Sequence, residues 1–449
     1  METENTSIQQ KENVVEQQIR NPYYPGNKDR DKSVLKMGLI ALIGIVLLIP
    51  TFLISDLITE RWQRKQEVSK EIEKSWGAEQ QLGGMVFQIP YLEKQGKEMV
   101  TSYLYLKPDN MAVKASILPF PKHISIFEIM TYKANADISC KFENIEQSII
   151  SKIDVEKIQW QNASIIVGIS DIKGLSKETG IKVNGLQYAL STDFNDDAYF
   201  TQGLALKYPL TEVARKAPFM VHINFEFRGT QQLSIEPTGK YTDVYISGKT
   251  EQVSFLGDFL SHNNKVQNHN FEANWKILPH NRAFKGLVYA KPQGPNEVVK
   301  VKILDGIDGY DKTERSIKYA ILVIGLSLLA FFFMELLYKK RIHPLQYALV
   351  GIALCIYYTL LLSLSEYIVF NMAYLISSLS TITLIVAYAK AILKDKKLAI
   401  AIATILTAIY VNIFMLISME DYALICGSIG LFIIVAILMY FSKRLSISE

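Results

Sequence analysis

Cysteine is nearly absent from this chain, with three in 449 residues. Cys355 and Cys426 lie in apolar runs, which leaves Cys140 alone in the long polar stretch. That stretch therefore holds neither an internal disulfide nor a cysteine-ligated metal centre, and its stability must come from a hydrophobic core. A dominant charge is missing too. Lysine and arginine total 48 against 44 acidic residues, and the net +4 is scattered rather than gathered into a basic stripe interleaved with aromatics, which excludes a nucleic-acid partner. No G-x-S-x-G elbow or ordered triad is present. Gly83-Gly84 lacks the G-x-G-x-x-G spacing and the following helix of a phosphate loop, and reads as a turn entering a strand. After the first apolar run, none of the later ones carries Asp, Lys, Arg or His near its middle, nor do they form an inverted repeat, which argues against a simple ion-coupled carrier.

What the chain does have is apolar sequence, unevenly spread. A membrane span needs about 20 apolar residues to cross a layer about 30 Å thick. Gly38–Ile54 meets this within a run over 33–58, and five further runs follow at about 317–338, 345–364, 367–389, 398–418 and 422–441. The first run follows a polar tail and continues through Pro50-Thr51-Phe52 without a small-x-small cleavage signal, so it reads as an uncleaved signal-anchor. Lysine and arginine set the direction. Lys28, Arg30, Lys32 and Lys36 precede the first run; Lys339, Lys340 and Arg341 lie between the second and third; Lys390, Lys394, Lys396 and Lys397 between the fourth and fifth; and Lys443 and Arg444 after the last. The opposite loops carry Glu366 and Glu420-Asp421. Both termini are expected to be cytoplasmic. Arg61, Arg64 and Lys65 oppose this, diluted by Glu60, Glu67, Glu71 and Glu73.

The expected organisation is a disordered cytoplasmic tail over 1–32, the anchor helix at 33–58, an extracytoplasmic β domain over 59–316, a five-helix bundle over 317–441 and a cytoplasmic tail over 442–449. The fold class is a polytopic α-helical membrane protein of one plus five spans, with the β-rich domain inserted between spans one and two. That domain opens with a helical stretch in which Val68, Ile72 and Trp76 recur every four residues and Gly77 supplies the stop. Beyond it the period becomes two: Phe219, Val221, Ile223, Phe225 and Phe227 alternate with polar residues, as do Phe271, Ala273, Trp275 and Ile277. Further strands are expected at Val113–Leu118, Ala163–Ile169, Tyr241–Ile246 and Val299–Ile303, separated by connections such as Glu236-Pro237-Thr238-Gly239-Lys240. No regular helical pattern falls between them, so a mainly antiparallel domain, such as a sandwich, fits better than a parallel α/β fold.

Candidate chemistry is sparse. His222 sits on the polar face of a strand. His262, His269 and His280 bracket an asparagine-rich segment whose spacing matches no compact metal site. Glu335, at the cytoplasmic end of span two, is expected to snorkel or to pair with Lys339 or Lys340 one turn on, or else to act as a gate or partner contact. Glu366 beside Ser363 and Ser365 reads as an interfacial carboxylate, and Tyr357 and Tyr358 need hydroxyl partners on another helix. No catalytic, cofactor-binding or metal-binding residues are assigned.

These pieces resemble the bacterial inner-membrane CreD family, also described as cell envelope integrity proteins. The resemblance begins at Arg64 and Trp76-Gly77, then Gln81-Leu82 and Gln88-Ile89-Pro90-Tyr91. It continues through Phe225, Gly229, Leu233, Pro237 and Gly239, the run Phe255-Leu256-Gly257-Asp258-Phe259-Leu260, and Phe271-Glu272-Ala273-Asn274-Trp275. Its most specific part is Asp308-Gly309-Tyr310, Arg315, Lys318-Tyr319-Ala320, Phe332-Phe333-Met334-Glu335, His343-Pro344-Leu345-Gln346-Tyr347, Gly351 and Leu361 to Glu366. The chain departs from the family at Met85, where a proline usually follows the glycine, and lacks a tryptophan-proline-histidine-proline type run before Phe255. The resemblance implies a role in envelope integrity and stress response downstream of a two-component system, with no known catalytic residue, substrate or cofactor.

The expected function is therefore non-enzymatic: an inner-membrane protein whose outer domain engages an envelope protein, lipid or cell-wall component, with the lipid bilayer as its constant partner. The alternatives are a transporter or export channel through the bundle, and an envelope-modifying enzyme. A filled bundle and an exposed apolar patch on the β domain would mark the first; a cavity joining Glu366 or Tyr357 to Glu335, the second; a converging nucleophile and base, the third.

Overall fold

The computed structural model describes residues 27–150, 157–192, 199–289, 297–304, 309–338 and 340–418, with scattered helical positions between 425 and 439. The chain divides into two compact units, Met1–Glu60 with Gly309–Glu449 and Arg61–Asp308.

In the first unit, two helices run nearly end to end: α1 (Asn27–Val46) and α2 (Leu48–Trp76), the latter extending into the second unit. Pro50 explains the break at Leu47. Proline has no N–H for the Val46 carbonyl, and its ring crowds that same oxygen. The remaining helices are α3 (Tyr310–Lys318), α4 (Ala320–Leu337), α5 (Pro344–Ser365), α6 (Phe370–Leu393) and α7 (Lys396–Ser418). Among the described residues, five helices are long and apolar enough to cross a membrane: one near the N-terminus, then α4 to α7. This is the polytopic membrane architecture read from the sequence. The sixth expected span, 422–441, lies largely outside the described residues. Residues 309–316, read from the sequence as the end of the outer domain, instead belong to this helical unit. They form most of α3, which buries Tyr310, Thr313, Ser316 and Ile317 along one face.

The second unit contains, among the described residues, two eight-stranded sheets. The strands are β1 (Gln80–Gln95), β2 (Glu98–Leu106), β3 (Asn110–Ile124), β4 (Phe127–Phe142), β5 (Ser164–Ile169), β6 (Gly180–Val183), β7 (Leu186–Ala189), β8 (Gly203–Lys207), β9 (Phe219–Thr230), β10 (Gln232–Ile235), β11 (Tyr241–Gly248), β12 (Val253–Gly257), β13 (Asn263–Gln267), β14 (Asn270–Ile277), β15 (Leu287–Val288) and β16 (Val299–Ile303). One sheet runs β12-β16-β10-β1-β2-β15, with β5 paired to β1 and β8; the other runs β13-β14-β11-β3-β4-β9-β6-β7. Pairing is antiparallel except at β1–β10 and β3–β11 among the described strands. The sheets face each other across one core. Phe87 of the first sheet meets Phe142 and Phe219 of the second at ring distances of 4.8 and 5.2 Å. The alternation along β9 and β14 appears as strict in-out burial.

β1 is buried on both faces from Leu82 to Tyr91. Leu82, Met85, Phe87 and Ile89 enter the main core, while Val86 joins Tyr105, Ile166, Tyr199 and Phe200 on the outer side. Gly83-Gly84 is not a turn before this strand. It forms an irregularity inside it, where pairing with β5 shifts register between Leu82 and Met85. The Phe200 ring lies so close that a Cβ on Gly83 or Gly168 would fall 2.4 or 2.5 Å from it.

Candidate functional site

Glu335 sits on the last turn of α4, at the end of the bundle where α1 begins. Among the described residues its ion-pair partner is Lys36 of α1, a contact the sequence reading did not offer; Lys339 lies outside the described residues. Lys36 also donates to the Ile342 carbonyl, and Glu335 accepts from the Tyr347 hydroxyl at 2.7 Å and from Ile342 N at 3.3 Å. A carboxylate at this depth is thus paired and hydrogen-bonded on both oxygens, the condition under which a buried charge is tolerated. The Lys36 ammonium also lies 5.9 Å from the centre of the Tyr347 ring. The break between α1 and α2 also packs on α5: Gly351 leaves room for Leu47, whose terminal methyl would lie 2.0 Å from a Cβ there. The start of α5 is set by a capping box in which His343 N donates to Gln346 Oε1 at 2.9 Å and Leu345 N to His343 Nδ1 at 3.3 Å, with Pro344 in the first turn.

At the opposite end of α5, Glu366 accepts from the Tyr310 hydroxyl at 3.3 Å, and Thr313 meets Ser365 at 3.4 Å. Between the two ends, tyrosine rings pack in the interior among the described residues. Tyr357 packs 4.8 Å from both Tyr358 and Tyr410, and the Tyr374 hydroxyl donates to the Tyr410 carbonyl at 2.7 Å. The hydroxyls of Tyr358 and Tyr410 are buried without a hydrogen-bond partner among the described residues, so the partner expected for Tyr358 is not found there. A cleft of about 420 Å³ does lie in this unit, between α1 and α4 and extending to Leu48, but apolar side chains and glycines alone line it, among them Met37, Gly44, Gly325 and Phe332.

In the β unit, the histidines do not converge. His222 is exposed on β9, 3.5 Å from Asp137; His262, His269 and His280 are exposed in separate connections. No cluster of three or more metal-ligating side chains occurs among the described residues. Cys140 is buried in the core, and burial pushes its thiol up to about 12.

One group of partly buried charges in this unit has no counterpart in any local sequence pattern. The connection from Glu236 to Gly239 is buried rather than a surface turn. Arg282 staples it by donating to the Pro237 and Gly239 carbonyls. Nearby, Lys107 lies 5.3 Å from the Tyr199 ring centre and 5.8 Å from that of Phe284, with the Arg282 guanidinium 5.3 Å from Phe284. Burial holds the Lys107 pKa below the usual lysine value, and the charge of Arg282 adds to this; Glu236 and Glu297 act in the opposite sense. Burial, reinforced by Glu236, likewise raises Tyr199 above the usual phenol range. These side chains are far apart in sequence, so no local spacing could have revealed them.

The run Phe255 to Leu260 forms the end of β12 and a pinned loop. Gly257 takes φ of +105°, and a Cβ there would meet the Val298 carbonyl at 2.2 Å. Asp258 N donates to Val298 O at 2.9 Å, Val298 N donates to Asp258 Oδ2 at 2.8 Å, and Trp275 Nε1 donates to Phe259 O at 3.1 Å. Held this way, Leu260 is 95% exposed.

Residues 32–448 match the family model described as inner membrane protein CreD. The chain belongs to the CreD family. A curated relative, the inner membrane protein CreD of Escherichia coli (strain K12), is 27% identical over 432 residues, covering 92% of this chain and 94% of the relative. Membership places the chain among inner membrane proteins with several membrane-spanning helices. The residues that carried the CreD resemblance have structural work: Glu335 and Tyr347 in the ion-pair cluster, His343 and Gln346 in the helix cap, Tyr310 and Glu366 at the other end, and Gly257 to Phe259 in the pinned loop. Among solved structures, an M1 zinc metallopeptidase from Deinococcus radiodurans aligns with 9% identity over 44% of this chain and 42% of the peptidase, and its TM-score of 0.20 is too low to carry an argument.

Proposed function

We propose that this chain is a non-enzymatic inner-membrane protein that supports envelope integrity or the response to envelope stress. Its β domain would engage an envelope protein, lipid or cell-wall component. In this reading both termini are cytoplasmic and residues 59–316 are periplasmic, as the four basic clusters of the loops favour. The observation that carries the proposal is the tyrosine packing between Glu335 and Glu366 among the described residues. Such packing favours a scaffold over a polar pathway. The pinned loop bearing the exposed Leu260 is the position at which the second half of the reading is tested.

The test combines phenotype and contact. A strain lacking the chain should become sensitive to detergent or osmotic shock, and restoring the full chain should reverse this. A photo-crosslinking residue at position 260 should capture an envelope component in intact cells. An unaltered envelope together with impaired uptake or efflux of a solute would instead favour transport. Proteolysis of intact and inverted vesicles tests the topology; cleavage of 59–316 only from the cytoplasmic side would overturn it.

A further inference from the structure

Beside the Lys107 cluster the β unit carries a cleft of about 300 Å³, lined by Lys107, Asp109, Asn144, Ser148 and Phe284 among others. This is near the lower end of small-ligand sites, about 300–1,000 Å³, and matches a single sugar ring better than a polymer. Lys107 lines it half-buried, with Glu236 and Glu297 near enough to favour its charge. Its position is fixed from behind: its backbone N–H donates to Gly286 O at 2.8 Å, and the Tyr199 and Phe284 rings flank its side chain. A half-buried cation gains further from an anion that reaches it through the cleft.

The rest of the lining narrows the chemistry. Asn144 Oδ1 already accepts from Gln147 N at 2.9 Å, which leaves its amide NH₂ as a donor. Asp109 Oδ2 accepts from Glu143 N at 2.9 Å, which leaves Oδ1 to accept. The Ser148 hydroxyl donates to Asn144 O at 2.8 Å and retains acceptor capacity. One cation, the Asp109 carboxylate, one aromatic ring and neutral amide and hydroxyl groups do not suit a bare ion. They suit a ring with hydroxyls and one negative group.

We propose that this cleft binds a carboxylate-bearing sugar, its carboxylate on Lys107, its ring against Phe284 and its hydroxyls on Asp109, Asn144 and Ser148. The proposal rests on, and deepens, the reading of the β domain as an envelope-engaging module. It names the acidic sugar as the chemistry engaged.

The experiment is equilibrium binding to the full chain in detergent micelles, using glucuronate, methyl glucoside and acetate as probes. Glucuronate should bind, with methyl glucoside and acetate each at least about tenfold weaker, since tenfold is 1.4 kcal/mol and each lacks one of the two anchors. Lys107→Gln should abolish the preference for glucuronate over methyl glucoside. Phe284→Ala should weaken both sugars and leave acetate unchanged. Because either change could disturb folding, Asn144→Asp provides a second readout: it adds a negative charge at the rim and should weaken glucuronate more than methyl glucoside. No binding by the unaltered chain, equal binding of the neutral sugar, or undiminished preference in Lys107→Gln would each overturn the proposal. Crosslinking at position 260 is independent of this cleft. Failure of sugar binding with crosslinking retained would remove the site alone, and sugar binding without an envelope phenotype would remove the broader role alone.

Discussion

The Lys36 ammonium is ion-paired with the carboxylate of Glu335, 299 residues further along the chain. The pair joins the first membrane helix to the second, and neither residue has the other in its sequence neighbourhood. Glu335 would otherwise be a charge near the end of an apolar helix, retained only at a cost.

Removing one partner should therefore destabilise the bundle more than removing both. Lys36→Met or Glu335→Gln should each cost about 2–4 kcal/mol, toward the lower side of a broken buried pair because Lys36 is partly exposed. The double variant should recover part of that loss. Thermal unfolding of the four proteins in one detergent forms the cycle, and strictly additive losses would show that the two residues are not coupled.

The tyrosine interior makes an asymmetric prediction. Tyr374→Phe deletes a hydrogen bond to the Tyr410 carbonyl and should cost about 1 kcal/mol. Tyr358→Phe removes a buried hydroxyl that has no partner among the described residues, so it should be neutral or mildly stabilising. The reverse order of melting temperatures would contradict this picture of the packing.

Phe200 covers two glycines in the β unit. Gly168→Ala should push the ring out and destabilise the unit by about 1–3 kcal/mol, whereas Phe200→Ala should cost about 3–5 kcal/mol through lost burial and the cavity left behind. Since both act on one contact, Gly168→Ala should add little once Phe200 is alanine. Denaturant titration of the full chain measures all three.

Cys140 should be inert while the unit is folded. Burial raises its thiol to about 12, so almost no thiolate forms at neutral pH, and a maleimide should react only as the unit opens. The sign of the pH effect follows from linkage. The thiol's preference for the folded state is fully present below the unfolded pKa of about 8.5 and is lost as pH rises from there toward 12. Labelling rates in a background of Cys355→Ala and Cys426→Ala check this; rapid labelling at pH 7 under native conditions would refute it.

The Leu260 loop depends on Gly257. An alanine there must adopt a left-handed φ and clash with the Val298 carbonyl, a strain of about 1–3 kcal/mol. Gly257→Ala should therefore lower the crosslinking yield at position 260 more than it lowers the melting temperature of the whole chain. Equal yields in both proteins would detach the loop from any contact role.

Much of the architecture was legible because it is written in local periods. The membrane helices are apolar over their whole length, and β9 and β14 alternate because one face is core and the other water. Three features were hidden for physical reasons. The double-sided burial of β1 erases the period of two, so its glycine pair looked like a turn. β13 is exposed at every residue and has no apolar face to read. The Lys36–Glu335 pair and the Lys107 cleft depend on side chains brought together from distant segments, which one-dimensional spacing does not encode.

The parallel pairing of β1 with β10 has a consequence for biogenesis. Residues Gln80 to Leu82 wait for Leu233 to Ile235, which in turn pair with β16. The first strand made is thus completed by some of the last, and the chain cannot seal this sheet until β16 has been made. If the unit is exported, it must cross the membrane unfolded and close only after the segment leading into α3 has emerged. Its open sheet would then be exposed to chaperones and proteases during every round of synthesis, which makes the timing of translocation, as much as the final stability, a determinant of how much protein accumulates.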